Sequence, residues 1–167
     1  MARKMNVESI KFWMTEYHID GFRFDRAAMS DEQTFEEIRR EAKKINPNVV
    51  LIAEPWGGGY KPDRFSELGY ASWNDQFRNG IKGQNPDTRP GLIFSRWDEG
   101  VTRQNLGRFF TGTLKRDGGL FQTSAHAVNY LESHDDHTFG DFVRLAVKSA
   151  AHHTVIKDLN NHIKLTP

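Results

Sequence analysis

Val49-Val50-Leu51-Ile52-Ala53 is an unbroken apolar, largely β-branched run that ends in a carboxylate, Glu54. A run of this length, bounded by the turn residues Asn46-Pro47-Asn48, reads as a parallel strand buried on both faces. Upstream, Phe22-Arg23-Phe24-Asp25 alternates apolar and charged residues, the two-residue period of a strand with one polar face. Between them Phe35, Ile38, Ala42 and Ile45 recur at helical spacing, and Ser30 followed by Gln33 is a capping-box signal for the start of that helix. Strand, helix, strand in about 30 residues is a βα unit, and a right-handed crossover makes its two strands parallel neighbours. Asp25 and Glu54 then stand at equivalent ends of adjacent strands.

The same alternation extends both ways. Val7, Ile10, Met14 and Tyr17, with Phe12 and Trp13 widening the stripe, predict an amphipathic helix over residues 6–17, broken by His18-Ile19-Asp20-Gly21. After the glycine-rich Gly57-Gly58-Gly59 loop, residues 70–77 form a weaker strand candidate, and residues 83–100 read as irregular. Val101 to Leu114 predicts a helix interrupted by Gly107. Ala127 to Leu131 predicts the last strand, Phe139 to Ala151 a helix, and the polar tail to Pro167 a loop. The fold class expected is α/β, with parallel strands alternating with helices.

Composition narrows the function classes. Twenty-three basic against 22 acidic residues give a net charge of +1, with no long block of like charge, so neither a nucleic-acid nor an anionic-membrane partner is expected. No cysteine is present, which removes disulfides and thiolate metal sites alike. No apolar stretch approaches the roughly 20 residues that span a bilayer, and the first residues lack a signal-peptide pattern. A soluble protein is expected; the missing leader leans the compartment toward the cytoplasm, although no residue fixes it.

Three carboxylates, Asp25, Glu54 and Asp135, each follow a predicted strand, where βα barrels place their catalytic groups. A lone acid there is ordinarily a helix cap or a solvated loop residue, so the surrounding residues decide. Residues i and i+2 of a strand share a face, so Arg23 can hold Asp25 and keep it ionised. An apolar strand below Glu54 and Trp56 beside it would disfavour its charged form, which suits a proton donor. His134, Asp135 and His137 lack a distant fourth ligand signal, so no metal is expected.

Asp20-Gly21-Phe22-Arg23-Phe24-Asp25, Leu51-Ile52-Ala53-Glu54-Pro55-Trp56 and Asn129-Tyr130-Leu131-Glu132-Ser133-His134-Asp135-Asp136 resemble, in order and spacing, the fourth-, fifth- and seventh-strand motifs of the α-amylase superfamily (glycoside hydrolase family 13). Glu54-Pro55-Trp56 and Trp73-Asn74-Asp75-Gln76-Phe77-Arg78 resemble its pullulanase and glycogen-debranching branch. The resemblance implies a (β/α)8 TIM barrel, present in part, with Asp25 as nucleophile, Glu54 as general acid/base and Asp135 stabilising the transition state. It further implies substrate-binding roles for Arg23, Trp56 and His134, no cofactor, and an α-glucan partner. Asp136 departs from the family, which often carries Asn there.

The implied reaction is retaining hydrolysis of α-1,4 or α-1,6 glucosidic bonds in carbohydrate metabolism. Two rivals keep the same residues: a glycosyl-transferring, branching enzyme, and a glucan-binding relic without turnover. No counterpart of the third-strand motif or of the eighth strand is found, so residues 1–167 are expected to be a barrel fragment holding strands four to seven. The isolated chain is expected to be inactive, with open sheet edges prone to self-association.

Overall fold

The computed structural model describes residues 1–96 and 101–152 in two compact units. The first comprises residues 1–74 and 112–128, the second residues 75–111 and 129 onward. The tail read as a loop, residues 153–167, and residues 97–100 of the stretch read as irregular lie outside the described residues.

The first unit opens with helix α1, Ala2–Glu16, followed by strand β1, Gly21–Phe24. Helix α2, Glu32–Ile45, leads to β2, Val50–Ala53. A short helix α3, Pro62–Glu67, precedes β3, Ala71–Trp73. All pairings in the sheet are parallel: Gly21 lies opposite Val50 and Arg23 opposite Ile52, while Ile52 lies opposite Ala71. A further two-residue strand, Ala127–Val128, which becomes β6 in chain order, lies beside β3.

The period-two and 3.6 patterns converge on one core. Leu51 and Ala53 of β2 are buried together with Val7, Ile10 and Met14 of α1 and Phe35, Ile38 and Ala42 of α2. Of these, each fully buried Val, Leu, Ile, Met or Phe side chain stabilises by about 1.5–3 kcal/mol and the alanines by less. Phe35 packs edge-on to Phe24, Phe65 and Tyr70, with centroids 5.5, 5.3 and 5.4 Å apart. The Tyr70 hydroxyl, fully enclosed, donates to the Phe35 carbonyl at 2.7 Å, and the Ser72 hydroxyl donates to the Ala53 carbonyl at 2.7 Å. Burial holds the Tyr70 phenol well above its ordinary range.

Two expectations are corrected here. The cap of α2 is Asp31 rather than Ser30: its carboxylate accepts from Thr34 N at 3.0 Å and from the Thr34 hydroxyl at 2.7 Å, while Arg3 closes on it at 2.8 Å. An ionised acceptor one residue later outcompetes the serine. Nor is β2 covered on both faces, because Val50 is 55% exposed while Leu51 and Ala53 are buried. Within the first unit, α1 and α2 pack on the face that carries Leu51 and Ala53.

The second unit begins with α4, Asp75–Ile81, so the strand read over 70–77 is three residues long and gives way to a helix. The irregular stretch holds a small hairpin of β4, Gly83–Asn85, and β5, Arg89–Pro90, then a 3₁₀ turn at Leu92–Phe94. Gly83, at φ +109, lies against the backbone of residues 89–91, where a side chain would collide. The helix read over 101–114 shrinks to α5, Leu106–Phe110, with Gly107 inside it. A turn at Thr102–Asn105, closed by side-chain bonds at 2.6 and 3.2 Å, precedes it, and Gly112 and Thr113 at positive φ end the run. Phe77, Ile81, Val101 and Phe109 form this unit's core. Helix α6, Phe139–His152, lies where a helix was expected over Phe139 to Ala151. Among the described residues no helix is long and apolar enough to cross a membrane.

Candidate active site

Past the ends of β1 and β2 the chains stay bonded: Glu54 N donates to the Phe24 carbonyl at 2.9 Å and Ala27 N to the Glu54 carbonyl at 2.9 Å. Continuing the register from Phe24 opposite Ala53 sets Asp25 abreast of Glu54. Neighbouring strands run about 4.8 Å apart, so the two carboxylates share one rim. Arg23, two residues back on the same face, spans them. Its Nη1 pairs with Asp25 Oδ1 at 2.8 Å and its Nη2 with Glu54 Oε1 at 2.8 Å.

The two acids are held differently. Glu54 is 4% exposed, whereas the Asp25 side chain is 65% exposed. The second oxygen of Glu54 accepts from the backbone N–H of Arg26 at 2.5 Å. Arg26 adopts the left-handed conformation, φ 44 and ψ 44, which turns its N–H toward that carboxylate. The apolar setting expected for Glu54 is therefore replaced by two donors, one cationic and one from the main chain. Arg23 likewise serves both carboxylates with one nitrogen each rather than gripping Asp25 alone. A cavity of about 270 Å³ reaches Arg23 and Asp25 but not Glu54, and is otherwise lined from the helices by Ser9, Ile10, Thr34 and Phe35.

Trp56 follows two residues after Glu54, and its carbonyl accepts from Ala28 N at 3.2 Å. Its ring stacks on Tyr60, centroids 6.3 Å apart and planes inclined by 28°. Tyr60 donates its hydroxyl to the Trp73 carbonyl at 3.1 Å. This joins the loop after β2 to the end of β3 and leaves a two-ring aromatic surface.

His134 and Asp135 belong to the second unit. They pair with one another, Nε2 to Oδ1 at 3.5 Å, and both side chains are 65% exposed. The strand read over 127–131 ends at Val128, so Asp135 stands in a bend seven residues beyond it rather than at a strand end. Asp135 N donates to Ser133 Oγ at 3.3 Å, and Asp136 takes φ +63.

Five residues escaped the sequence reading. Arg26 acts through its main chain, which no side-chain pattern reports. Tyr60 carried no motif. Asp75, Arg78 and Tyr130 lie in segments whose resemblance was noted, but their joint role was not: the Tyr130 hydroxyl donates to Asp75 Oδ1 at 2.5 Å and accepts from Arg78 Nη1 at 2.6 Å, and Arg78 Nη2 reaches Asp75 Oδ2 at 3.2 Å. The three-residue spacing of Asp75 and Arg78 on a helix was the available signal. The network ties α4 to the segment that carries His134 and Asp135.

No family model matches the chain. Individual proteins do. It is 41% identical over 151 residues to a glycogen debranching enzyme of Klebsiella pneumoniae, covering 81% of this chain and 20% of the relative. To the pullulanase of Bacillus subtilis it is 27% identical over 158 residues, 88% of this chain and 22% of the relative. The chain thus spans about a fifth of the length of these curated relatives. Among solved structures, Bacillus subtilis pullulanase type I complexed with maltose matches with a TM-score of 0.76 at 27% identity, over 89% of this chain and 22% of that one. Paenibacillus barengoltzii pullulanase complexed with maltohexaose and α-cyclodextrin matches with a TM-score of 0.74 at 33% identity, over 90% of this chain and 25% of that one. The parallel sheet alternating with helices corresponds to part of a (β/α)8 barrel, and the chain is a homologue of the pullulanases and glycogen debranching enzymes.

Proposed function

We propose that residues 1–167 are a stretch of catalytic barrel carrying the nucleophile and acid/base of a retaining α-glucan hydrolase. Arg23 bridging Asp25 and Glu54 is the observation that carries this reading. In it, Glu54 protonates the glycosidic oxygen as the bond breaks, Asp25 attacks the anomeric carbon to form a glycosyl ester, and Glu54 then takes a proton from the water that cleaves the ester. Arg23 orients both carboxylates from one rigid guanidinium. Asp135 is assigned to the oxocarbenium-like transition state, His134 to a sugar hydroxyl, and the Trp56–Tyr60 surface to the face of a glucose ring. The names of the relatives favour α-1,6 branch points of pullulan- or glycogen-type glucans as substrate.

The test sets this chain in place of the matching stretch of Bacillus subtilis pullulanase and measures reducing sugar released from pullulan and soluble starch. Asp25→Asn and Asp135→Asn should each remove most activity. Glu54→Gln should do the same on pullulan yet spare a glucoside with an activated leaving group, which needs little protonation. Near-normal pullulan hydrolysis by Glu54→Gln would overturn the assignment, and oligosaccharides longer than the substrate among the products would mark transfer instead of hydrolysis.

A further inference from the structure

Lys82, immediately after α4, is 4% exposed. Its ammonium lies over the ring of Phe142 at 4.9 Å. Among the described residues no carboxylate comes within ion-pair distance of it. Arg78, a second cation lining the same cavity as Lys82, pairs with Asp75 and Tyr130. Burial, with Arg78 adding to it, depresses the Lys82 ammonium below its ordinary range, while Asp136, Glu132 and Asp75 act against that shift. A buried ammonium has three donors, and a π-face satisfies at most one of them. Lys82 lines a cavity of about 150 Å³ with Gln84 and Asn85 of the hairpin and with Arg78, Asp136 and His137.

The cavity thus offers donors from Lys82, acceptors from Asp136, and amide N–H donors from Gln84 and Asn85, whose oxygens already accept from Arg89 and from the Asp87 and Thr88 N–H groups. A phosphate or carboxylate would satisfy the lysine but face the Asp136 carboxylate at close range. A pair of neighbouring hydroxyls meets both, since each hydroxyl donates one hydrogen bond and accepts others. At about 30 Å³ per water, the space holds roughly five waters' worth of ligand, the scale of one edge of a single sugar ring. We propose that Lys82 and Asp136 form a subsite that grips adjacent hydroxyls of one glucose unit. This rests on the α-glucan reading above and adds to it the place where a ring is held away from Asp25 and Glu54 in sequence. It also gives Asp136 a task that requires its departure from Asn: a carboxylate accepts two hydroxyl hydrogens and balances the buried charge.

Maltotriose is titrated into the ¹⁵N-labelled 167-residue chain, with inorganic phosphate as the comparison ligand. The amides of residues 82–85 and 136–137 should shift on one saturating curve. Lys82→Met, which keeps the stem's volume, and Asp136→Ala should each weaken that curve by roughly tenfold to a hundredfold, the loss of a charge-assisted hydrogen bond. Should Lys82→Met not fold, Asp136→Ala carries the test, because its side chain is not part of the core. Shifts confined to residues 23–26 and 54–56 would overturn the subsite and leave the proposed active site standing. No shift anywhere would overturn the subsite, while the active-site reading stands or falls on the pullulan assay of the chimera. A response to phosphate without one to maltotriose, or undiminished binding by the folded variants, would overturn the subsite.

Discussion

Removing the guanidinium that Asp25 and Glu54 share should cost the fold chiefly through Glu54. In Arg23→Ala, the Glu54 carboxylate keeps the Arg26 N–H at 2.5 Å but loses its cationic donor at 2.8 Å while 4% exposed. A hydrogen bond to a charged group contributes about 1.5–3 kcal/mol. The Asp25 half of the bridge, with its side chain 65% exposed, contributes about 0–1 kcal/mol. The expected loss is about 1.5–4 kcal/mol, read as a lowered urea midpoint at unchanged slope by tryptophan fluorescence. A double-mutant cycle separates the halves. With Glu54→Gln already in place, Arg23→Ala should cost about 1 kcal/mol or less, a coupling of about 1.5–3 kcal/mol, whereas the cycle with Asp25→Asn should show about 0.5 kcal/mol. Arg23→Lys should recover little, since one ammonium cannot present two parallel donors to two carboxylates. A Glu54 coupling indistinguishable from the Asp25 coupling would refute the view that the buried acid depends on Arg23.

Tyr70→Phe should destabilise by about 0.5–1.5 kcal/mol through loss of the hydroxyl bond to the Phe35 carbonyl, against about 3–5 kcal/mol for Tyr70→Ala, both by urea unfolding. An undiminished Tyr70→Phe would mean that the Phe35 carbonyl gains nothing from that donor. His126, held below the ordinary histidine range by burial and then by the Arg39 cation, should make the fold weaken under acid. Ser66 Oγ accepts from Gln122 N at 2.8 Å and lies within hydrogen-bond distance of His126 Nδ1 at 2.9 Å, while a bond to the Ser66 main chain works against the downward shift. Because the folded pKa is depressed, the unfolded chain takes up the proton first: stability is full above about pH 6.5 and declines as the pH falls from there toward the lower folded value. Melting temperatures at pH 5, 6 and 7 should drop with acidity in the parent and drop less in His126→Gln. Equal slopes would remove His126 as the cause.

Helices α1, α2 and α6 and strands β1 and β2 could be read from the chain because apolar spacing and burial agree in them: Val7, Ile10 and Met14, or Phe35, Ile38 and Ala42, face the core as their period requires. Where a few polar atoms decide, reading failed. Asp31 displaced Ser30 as cap through contacts with Thr34 and Arg3, the latter 28 residues away. The apolar content of 101–114 was real, but it fills the core of the second unit from a turn and a five-residue helix, Val101 and Phe109 being buried there. The pair Asp25 and Glu54 was legible because parallel pairing fixes which residues lie abreast. The environment of Glu54 was not, because one of its two donors is a peptide N–H.

That peptide N–H separates what position 26 contributes from what its side chain is. The contact to Glu54 depends on a left-handed turn at φ 44, a conformation open to glycine, asparagine and aspartate as well as to the arginine found here, but closed to β-branched residues. Among descendants of this chain the residue at 26 is free to drift across charge and size while the acid beside it stays bound. The restriction falls on backbone shape alone: valine or isoleucine would disturb the site more than replacing a cation with a neutral amide or an acid.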